Sequence, residues 1–452
     1  MSLITTDKQR IIIGLGQTGL SCARYFQRAG VRFAVCDTRE APAAAVSFRS
    51  EFPGVDLRLG ELDADWLAQA QELVISPGID KRHPAIEAAV AAGASLIGDI
   101  DLFCREAVAP IVAITGSNAK STVTTLVGLM AEQSGMAVGV GGNIGTPALD
   151  LLVQPAELYV LELSSFQLET THELRAAAAT VLNVSPDHLD RYTGMQDYTL
   201  TKQRIYRGAS VVVANRQDPL TQPLMAQGVE QRTFGLNAPD LKQYGVLEHD
   251  GEAWLACGLE RLLPERALKI RGRHNLANAL AALALADAVD VPREASLQAL
   301  QAFAGLEHRC QWVAEIDGVS FFNDSKGTNV GATLAALEGL GATLPAGNQL
   351  ILIAGGVGKE QSFAGLNAPL KRYSRDLVLM GRDAGLIAAE VDGPSVHMAA
   401  SLPDAVMRAQ ALASAGDIVL LSPACASFDM FSGYTERGDV FVQAVEGIAT
   451  CA

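Results

Sequence analysis

Ile111-Val112-Ala113-Ile114-Thr115-Gly116-Ser117-Asn118-Ala119-Lys120-Ser121-Thr122 begins as an unbroken apolar run and ends in a polar loop. Such a run, with no alternation of polar and apolar residues, predicts a strand covered on both faces, the habit of parallel sheets. The residues from Lys120 to Gln133 read as the helix that follows. A strand, a tight loop and a helix N-terminus together can cradle phosphate, because the loop N–H groups converge and the helix dipole adds its positive end. The candidate contacts are Gly116, Ser117, Asn118, Ala119, Lys120, Ser121 and Thr122. Lys120 is placed to reach the outer phosphates, and Ser121 to offer its hydroxyl to Mg²⁺. The loop departs from the usual pattern: Gly116 stands four residues before Lys120 instead of about six, and Ala119 takes a glycine position. The plain alternative is a tight turn with a surface lysine.

The same rhythm runs outward in both directions. Residues 10–14, 32–36, 72–76 and 95–97 read as strands separated by helix-like segments, and the pattern restarts at Pro110 and again near 306. After 306, QLILIAG, DLVLMG and DIVLLSP are the strands, while 216–270 is less regular and suggests a small β excursion. Alternating strands and helices predict βαβ units. The expected architecture is α/β in three domains: Rossmann-like at residues 1–99, a P-loop ATPase-like parallel sheet at 100–305, and Rossmann-like at 306–452.

Composition narrows the function. The chain has 452 residues, 49% hydrophobic and 6% aromatic, with a formal net charge of −15. So acidic a surface argues against nonspecific nucleic-acid binding, which requires cations to displace counterions. Seven scattered cysteines without a CxxC pair argue against a disulfide framework or zinc site and fit a reducing cytoplasm. The N-terminus lacks a signal pattern, and no apolar run reaches the ~18 residues of a membrane span.

Further motifs sit where strands end. Glu162 closes the strand YVLEL and is placed to share Mg²⁺ with Ser121; alone it is equally well a solvated glutamate. His188 lies in the turn Asn183-Val184-Ser185-Pro186-Asp187-His188-Leu189-Asp190, suited to a metal ligand or a base, although a lone turn histidine is usually neither. Gly14-Leu15-Gly16-Gln17-Thr18-Gly19, with Asp37 ending the next strand, is a complete dinucleotide fingerprint. It is the strongest sign of a rival function, an NAD-dependent dehydrogenase, but its glycines do not say which nucleotide approaches. In the last third Arg309, Asn323-Asp324-Ser325-Lys326-Gly327-Thr328-Asn329, Gly355-Gly356-Val357-Gly358-Lys359 and Ser422–Ser427 also collect at strand ends, and together suggest an anion-binding face.

TGSNAKST, GGNIGTP, LELSSFQLE, NVSPDHLDRY, HNLANALAA, the His308-Arg309 pair, FNDSKGTN and LLSPACASFD resemble, in order, the landmarks of the Mur ligase family over essentially the whole chain. GLGQTG, DTR and SPG resemble its D-glutamate-adding branch. The resemblance implies a cytoplasmic, monomeric ATP-dependent ligase that joins D-glutamate to UDP-N-acetylmuramoyl-L-alanine through an acyl phosphate. It reassigns the fingerprint: Leu15, Gln17, Thr18, Asp37, Thr38 and Gly78 would hold the UDP moiety, and Asn143 would touch the same substrate. Lys120, His188 and Lys202 would be catalytic. Asn275, Asn278, Arg309 and Asp324 would join the loop in binding ATP. Two Mg²⁺ ions are implied, with Ser121, Glu162, His188 and a carbamylated Lys202 as ligands. Lys326, Thr328, Lys359, Ser427 and Tyr434 would meet the substrates near the junction. Val357 stands where the family commonly has aspartate, and Tyr434 where it has phenylalanine. Other amino-acid-adding relatives, a folylpolyglutamate synthase and a non-catalytic nucleotide-binding regulator are the remaining alternatives.

Overall fold

A computed structural model describes residues 10–189, 191–223, 228–358 and 361–449. Three sheets follow one another along the chain. The first contains β1 (Arg10–Ile13), β2 (Phe33–Asp37), β3 (Leu57–Leu59), β4 (Glu72–Ile75) and β5 (Ser95–Ile97), all parallel, in the order β3-β2-β1-β4-β5. Four of these are the strands read from the sequence. β3 was not: it has three residues, leaves Arg58 exposed and is only partly covered, so it lacks the apolar run that marks the others.

The second sheet contains β6 (Ile111–Thr115), β7 (Val138–Gly142), β8 (Leu158–Glu162), β9 (Ala178–Val181), β10 (Val211–Asn215), β11 (Glu230–Phe234), β12 (Tyr244–His249), β13 (Glu252–Cys257) and β14 (Glu260–Pro264). Their order is β14-β13-β12-β11-β10-β9-β6-β8-β7. From β7 to β12 the pairs are parallel, and β13 and β14 add an antiparallel meander, the β excursion expected from the sequence. β7 reads VGVGG and carries little strand signal. Its glycines are needed for close approach: a methyl at Gly139 would stand 2.7 Å from the Tyr159 ring, and one at Gly141 would collide with the Thr146 carbonyl.

The third sheet contains β15 (Gln311–Ile316), β16 (Val319–Asn323), β17 (Leu350–Ala354), β18 (Asp376–Leu379), β19 (Ser395–Met398) and β20 (Ile418–Leu421). The order is β15-β16-β20-β17-β18-β19, parallel except for β15 against β16.

The continuous apolar strands are explained by cores on both faces of each sheet. Ile12 enters one core, Ile11 and Ile13 another. Leu350, Leu352 and Ala354 face one side of the third sheet, Ile351 and Ile353 the other. Each of these Ile and Leu side chains contributes about 1.5–3 kcal/mol by leaving water. One core runs through from the first sheet into the second, where Ile12, Val35 and Phe103 share a cluster with Ile111, Tyr159 and Leu161. Phe103 meets Tyr159 edge-on at 5.0 Å. The third domain has apolar cores of its own.

The strand orders fix where ligands can gather. β6 has β8 on one side and β9 on the other, so the chain turns opposite ways beyond its carboxyl end, which opens a crevice there. β1 is flanked by β2 and β4 in the same way, and β16, β20 and β17 end side by side in the third sheet.

Candidate active site

The loop after β6 is braced by the segment after β9. Ser117 N donates to Asn183 O (2.9 Å), and Asn118 N to Asn183 Oδ1 (2.8 Å). Asn183 Nδ2 returns a bond to Asn118 O (3.1 Å), and Ser117 Oγ donates to Ser185 O (2.9 Å). Asn183 and Ser185, quoted above only as part of a turn, therefore work as a splint. The helix starts at Lys120 and ends at Gln133, as the sequence predicts. Its cap residue Ala119 is left-handed, with φ 66°, a conformation that costs an L-residue about 1–2 kcal/mol. Ala119→Gly removes that strain but frees the unfolded chain by about 0.4–1 kcal/mol, so the expected result is a net gain of ~0.5–1 kcal/mol. Urea denaturation measures it; a clear loss of stability would mean that the Ala119 methyl packs usefully.

Beyond the loop, hard oxygens and cations converge. Ser121 Oγ donates to Glu162 Oε2 at 2.6 Å, and Asn143 Nδ2 donates to Glu162 Oε1 at 2.7 Å. Arg309, from the turn before β15, donates from Nη2 to Ser121 Oγ at 2.7 Å. Lys120 Nζ folds over the loop and donates to Gly116 O and Ser117 O, both at 3.0 Å. Lys202 is almost fully buried (1% exposed), and its Nζ donates to Gly116 O at 2.9 Å and lies 4.6 Å from the centre of the Tyr198 ring. Burial, and then the charge of Lys120, hold the Lys202 amine well below the usual lysine range. Burial also lowers Lys120, partly offset by Glu162 and Asp187.

His188 is left-handed too, with φ 54°. Its ring meets Phe166 edge-on at 4.9 Å, and Phe166 in turn stacks on Tyr192 at 6.1 Å. A bulky residue held at positive φ beside a ligand loop is a common mark of a functional turn. Asp190, the last residue of that motif, lies outside the described residues.

The opposite wall comes from the third domain. Asp324 accepts from Cys310 N (3.1 Å) and Ser422 Oγ (2.7 Å). Burial raises its carboxyl to about 7, against the opposing effect of Ser422. Lys326 Nζ lies 3.9 Å from the Tyr434 ring centre, where cation and ring attract. Arg437, fully buried, donates to Ser325 Oγ (3.0 Å), Ser325 O (2.7 Å) and Cys425 O (3.1 Å), tying the Asp324–Lys326 turn to the loop after β20.

Between the walls lies a cavity of about 1040 Å³. Ser117, Asn118, Ala119, Lys120, Ser121, Thr122, Asn143, Glu162, His188, Lys202, Asn275, Asn278, Arg309, Asp324, Lys326, Thr328 and Tyr434 all line it. Gly116 lies just behind and offers its carbonyl to both lysines. Phe166, Tyr198, His274, His308 and Asn329 line it as well; His308 and Asn329 stand in motifs quoted above but were given no role of their own, and Phe166, Tyr198 and His274 carried no spacing signal. Ser427 is buried near the end of β20 and does not line this cavity. Lys359 lies outside the described residues.

The fingerprint residues gather elsewhere, at the carboxyl ends of β1, β2 and β4. Gly14 has φ 103°, and a methyl on Gly19 would collide with the Gly14 carbonyl, so both glycines are needed for the turn itself. Gly16 faces open space, with Gln17, Thr38 and Gly78 exposed around it. Asp37 is buried and already engaged: Oδ2 accepts from Leu15 N (2.6 Å) and Arg39 Nη2 (2.7 Å), Oδ1 from Arg39 N (2.9 Å) and Arg39 Nε (2.8 Å). Burial pushes this carboxyl up, but Arg39 and the two amides outweigh it and the net shift is downward. Asp37 thus orders Leu15 and Arg39 instead of presenting a free carboxylate to ribose hydroxyls, as an NAD site would require.

Comparison with known proteins agrees along the whole chain. Residues 8–98 match the N-terminal domain of MurD-like Mur ligases, 114–286 the Mur ligase middle domain, and 308–425 the Mur ligase glutamate ligase domain. A UDP-N-acetylmuramoylalanine–D-glutamate ligase of Pseudomonas aeruginosa is 58% identical over 451 residues, covering 99% of this chain and 100% of that one. The enzyme of that name from Nitrosococcus oceani is 52% identical over 98% of this chain and 97% of its own. Among solved structures, a pseudomurein peptide ligase type C from Methanothermus fervidus superposes with a TM-score of 0.62 at 18% identity, over 98% of this chain and 100% of that one. A UDP-N-acetylmuramate–alanine ligase from Thermotoga maritima gives 0.59 at 18%, over 97% and 99%; both show the shared fold.

Proposed function

The chain belongs to the Mur ligase family, and on that premise we propose how its residues divide the work of making one amide bond. The protein is an ATP-dependent ligase that adds D-glutamate to UDP-N-acetylmuramoyl-L-alanine in peptidoglycan synthesis, with ATP and Mg²⁺ as its nucleotide and metal. The observation that carries the assignment of roles is the cavity that sets Lys120, Ser121 and Glu162 opposite Arg309, Asp324 and Lys326.

A carboxylate is a poor acyl donor because oxide is a poor leaving group. In the proposed sequence a substrate carboxylate oxygen attacks the γ-phosphorus, the bond to the β-phosphate oxygen breaks, and ADP leaves. The D-glutamate nitrogen, as the free amine, then attacks the acyl carbon. Phosphate leaves with the carboxylate oxygen, and the amine sheds its proton. The site must hold two anions together, so cations and positioning account for most of the rate. Lys120 and the helix N-terminus would hold the outer phosphates, and Arg309 and Asp324 the nucleotide from the other wall. Asn275 and Asn278 would lie near the base.

Among the described residues no group of three or more His, Cys, Asp and Glu is arranged for a metal. Mg²⁺ needs fewer protein ligands, since it keeps waters and shares phosphate oxygens. Ser121 Oγ and Glu162, hard oxygens 2.6 Å apart, are donors of the kind it takes. The ion would neutralise phosphate charge. A second ion, held by His188 and a carbamylated Lys202, belongs to the same proposal. Leu15, Gln17, Thr18, Asp37, Thr38 and Gly78 would receive the UDP moiety, Asp37 acting through Leu15 and Arg39, while Asn143 would touch the substrate beside Glu162. Lys326, Thr328, Lys359, Ser427 and Tyr434 would receive D-glutamate and the substrate junction. The division at 1–99, 100–305 and 306–452, a monomeric working unit and a cytoplasmic location complete the proposal. Among the described residues no helix is long and apolar enough to cross a membrane.

An amino-acid panel assayed with UDP-N-acetylmuramoyl-L-alanine and ATP tests it. Phosphate release is expected with D-glutamate alone. Equal release with other amino acids, or none with D-glutamate, would overturn the assignment.

A further inference from the structure

The two domain joints differ in kind. The first and second domains share one apolar core, while the second and third meet through polar groups, glycines and the cavity. Domains move relative to one another by default unless their interface is large and hydrophobic. The third domain meets the second through the helix Val330–Gly341. Ala336, Leu337 and Leu340 face its own core. Gly331, Ala335 and Gly339, spaced four residues apart on one face, look the other way. A methyl at Gly331 would collide with Ser185 Oγ and stand 2.8 Å from Ser185 Cβ. One at Gly339 would collide with the His274 ring. Both contacts lie across the joint.

Asn329 sits at the head of this face. Its Oδ1 accepts from Ala332 N at 2.8 Å and caps the helix. Its Nδ2 donates to Asn118 Oδ1 at 3.3 Å and to Asp187 Oδ2 at 3.1 Å. Asn118 belongs to the phosphate loop, and Asp187 precedes His188. A single buried side chain thus caps one domain's helix and grips the reactive loops of another.

We propose that the Gly331–Gly339 face is the surface on which the third domain closes, and that Asn329 is a positioning residue that locks the phosphate loop and the His188 turn once it has closed. The proposal rests on the ligase reading. Closure would bring the residues assigned to D-glutamate over the activated carboxylate and exclude water from it. The requirement for glycine at 331 comes from this contact, where a methyl would collide with Ser185.

Two variants test this in the full-length protein. Gly331→Ala obstructs the seat. Asn329→Asp keeps the cap, since Asp and Asn cap equally well, but removes the donor and sets a second carboxylate against Asp187. Each is expected to lower kcat by about tenfold or more, Asn329→Asp because it loses two hydrogen bonds across the joint and Gly331→Ala because its methyl clashes with Ser185, both shifting the closure equilibrium. The Kd for ADP measured by calorimetry should stay within about twofold, because a contact made only on closing does not contribute to binding in the open form. Small-angle scattering with ADP and UDP-N-acetylmuramoyl-L-alanine should show the wild type contracting and the variants remaining extended. Wild-type kcat in both variants, or a rise in the ADP Kd that matches the fall in kcat, would overturn the closing face. Failure of the wild type to bind ADP would instead overturn the ligase reading beneath it.

Discussion

Lys120→Ala is expected to lower kcat by about a hundredfold or more, comparable to the loss of one preorganised transition-state donor. The amine leans over the loop with two carbonyl partners and has Glu162, Asp187 and Arg309 as its charged neighbours. In the proposed sequence it meets charge that moves onto the β–γ bridge as ADP leaves. The loss should therefore fall on kcat more than on the KM for D-glutamate, whose proposed contacts come from the third domain and not from the phosphate loop. Steady-state kinetics with each substrate varied in turn measures this. Near-normal turnover would remove the phosphate loop from the mechanism.

Lys202→Ala should be nearly as damaging, for a different reason. A solvated helix lysine would tolerate alanine, but Lys202 is buried, with the Gly116 carbonyl as its hydrogen-bond acceptor and Lys120 as a repelling neighbour. Those surroundings favour the neutral amine, the form that reacts with CO₂ to give a carbamate and a proton. The carbamate keeps one N–H for Gly116 and turns a cation into a hard anionic oxygen ligand, suited to Mg²⁺. We expect activity to fall by about a hundredfold and short carboxylates such as acetate to restore part of it. Labelling with carbon-13 bicarbonate should give a carbamate resonance in the wild type that Lys202→Ala lacks. Loss of activity without either signal would leave Lys202 as a plain buried cation and remove the second metal site with it.

The parts legible in the sequence share one physical origin. Buried parallel strands are continuous in Ile, Val and Leu, so β1, β6, β17 and β20 stand out, and the phosphate loop follows as the turn between such a strand and a helix. β7 was hidden because its glycines serve close packing instead of strand propensity. The charged candidates Lys120, Glu162 and Asp324 were found because each closes or follows a strand, whereas Arg309 lies before β15 and was found through the His308-Arg309 pair. Asn183, Ser185 and Asn329 act by bracing other residues through side-chain bonds across many positions of sequence, and no local pattern encodes such bonds. Asp37 was found, but its work differs from the first reading: a buried carboxylate must satisfy its oxygens, and Leu15 and Arg39 do so.

The most direct test of the account follows the substrate oxygens. UDP-N-acetylmuramoyl-L-alanine labelled with oxygen-18 in both carboxylate oxygens is turned over with ATP and D-glutamate, and the released phosphate is analysed by mass spectrometry. The account predicts one labelled oxygen in each phosphate, because the carboxylate oxygen that attacks phosphorus departs with it. Turnover that releases unlabelled phosphate would contradict activation of the carboxylate by phosphoryl transfer, and with it the role assigned to the cavity between the second and third domains.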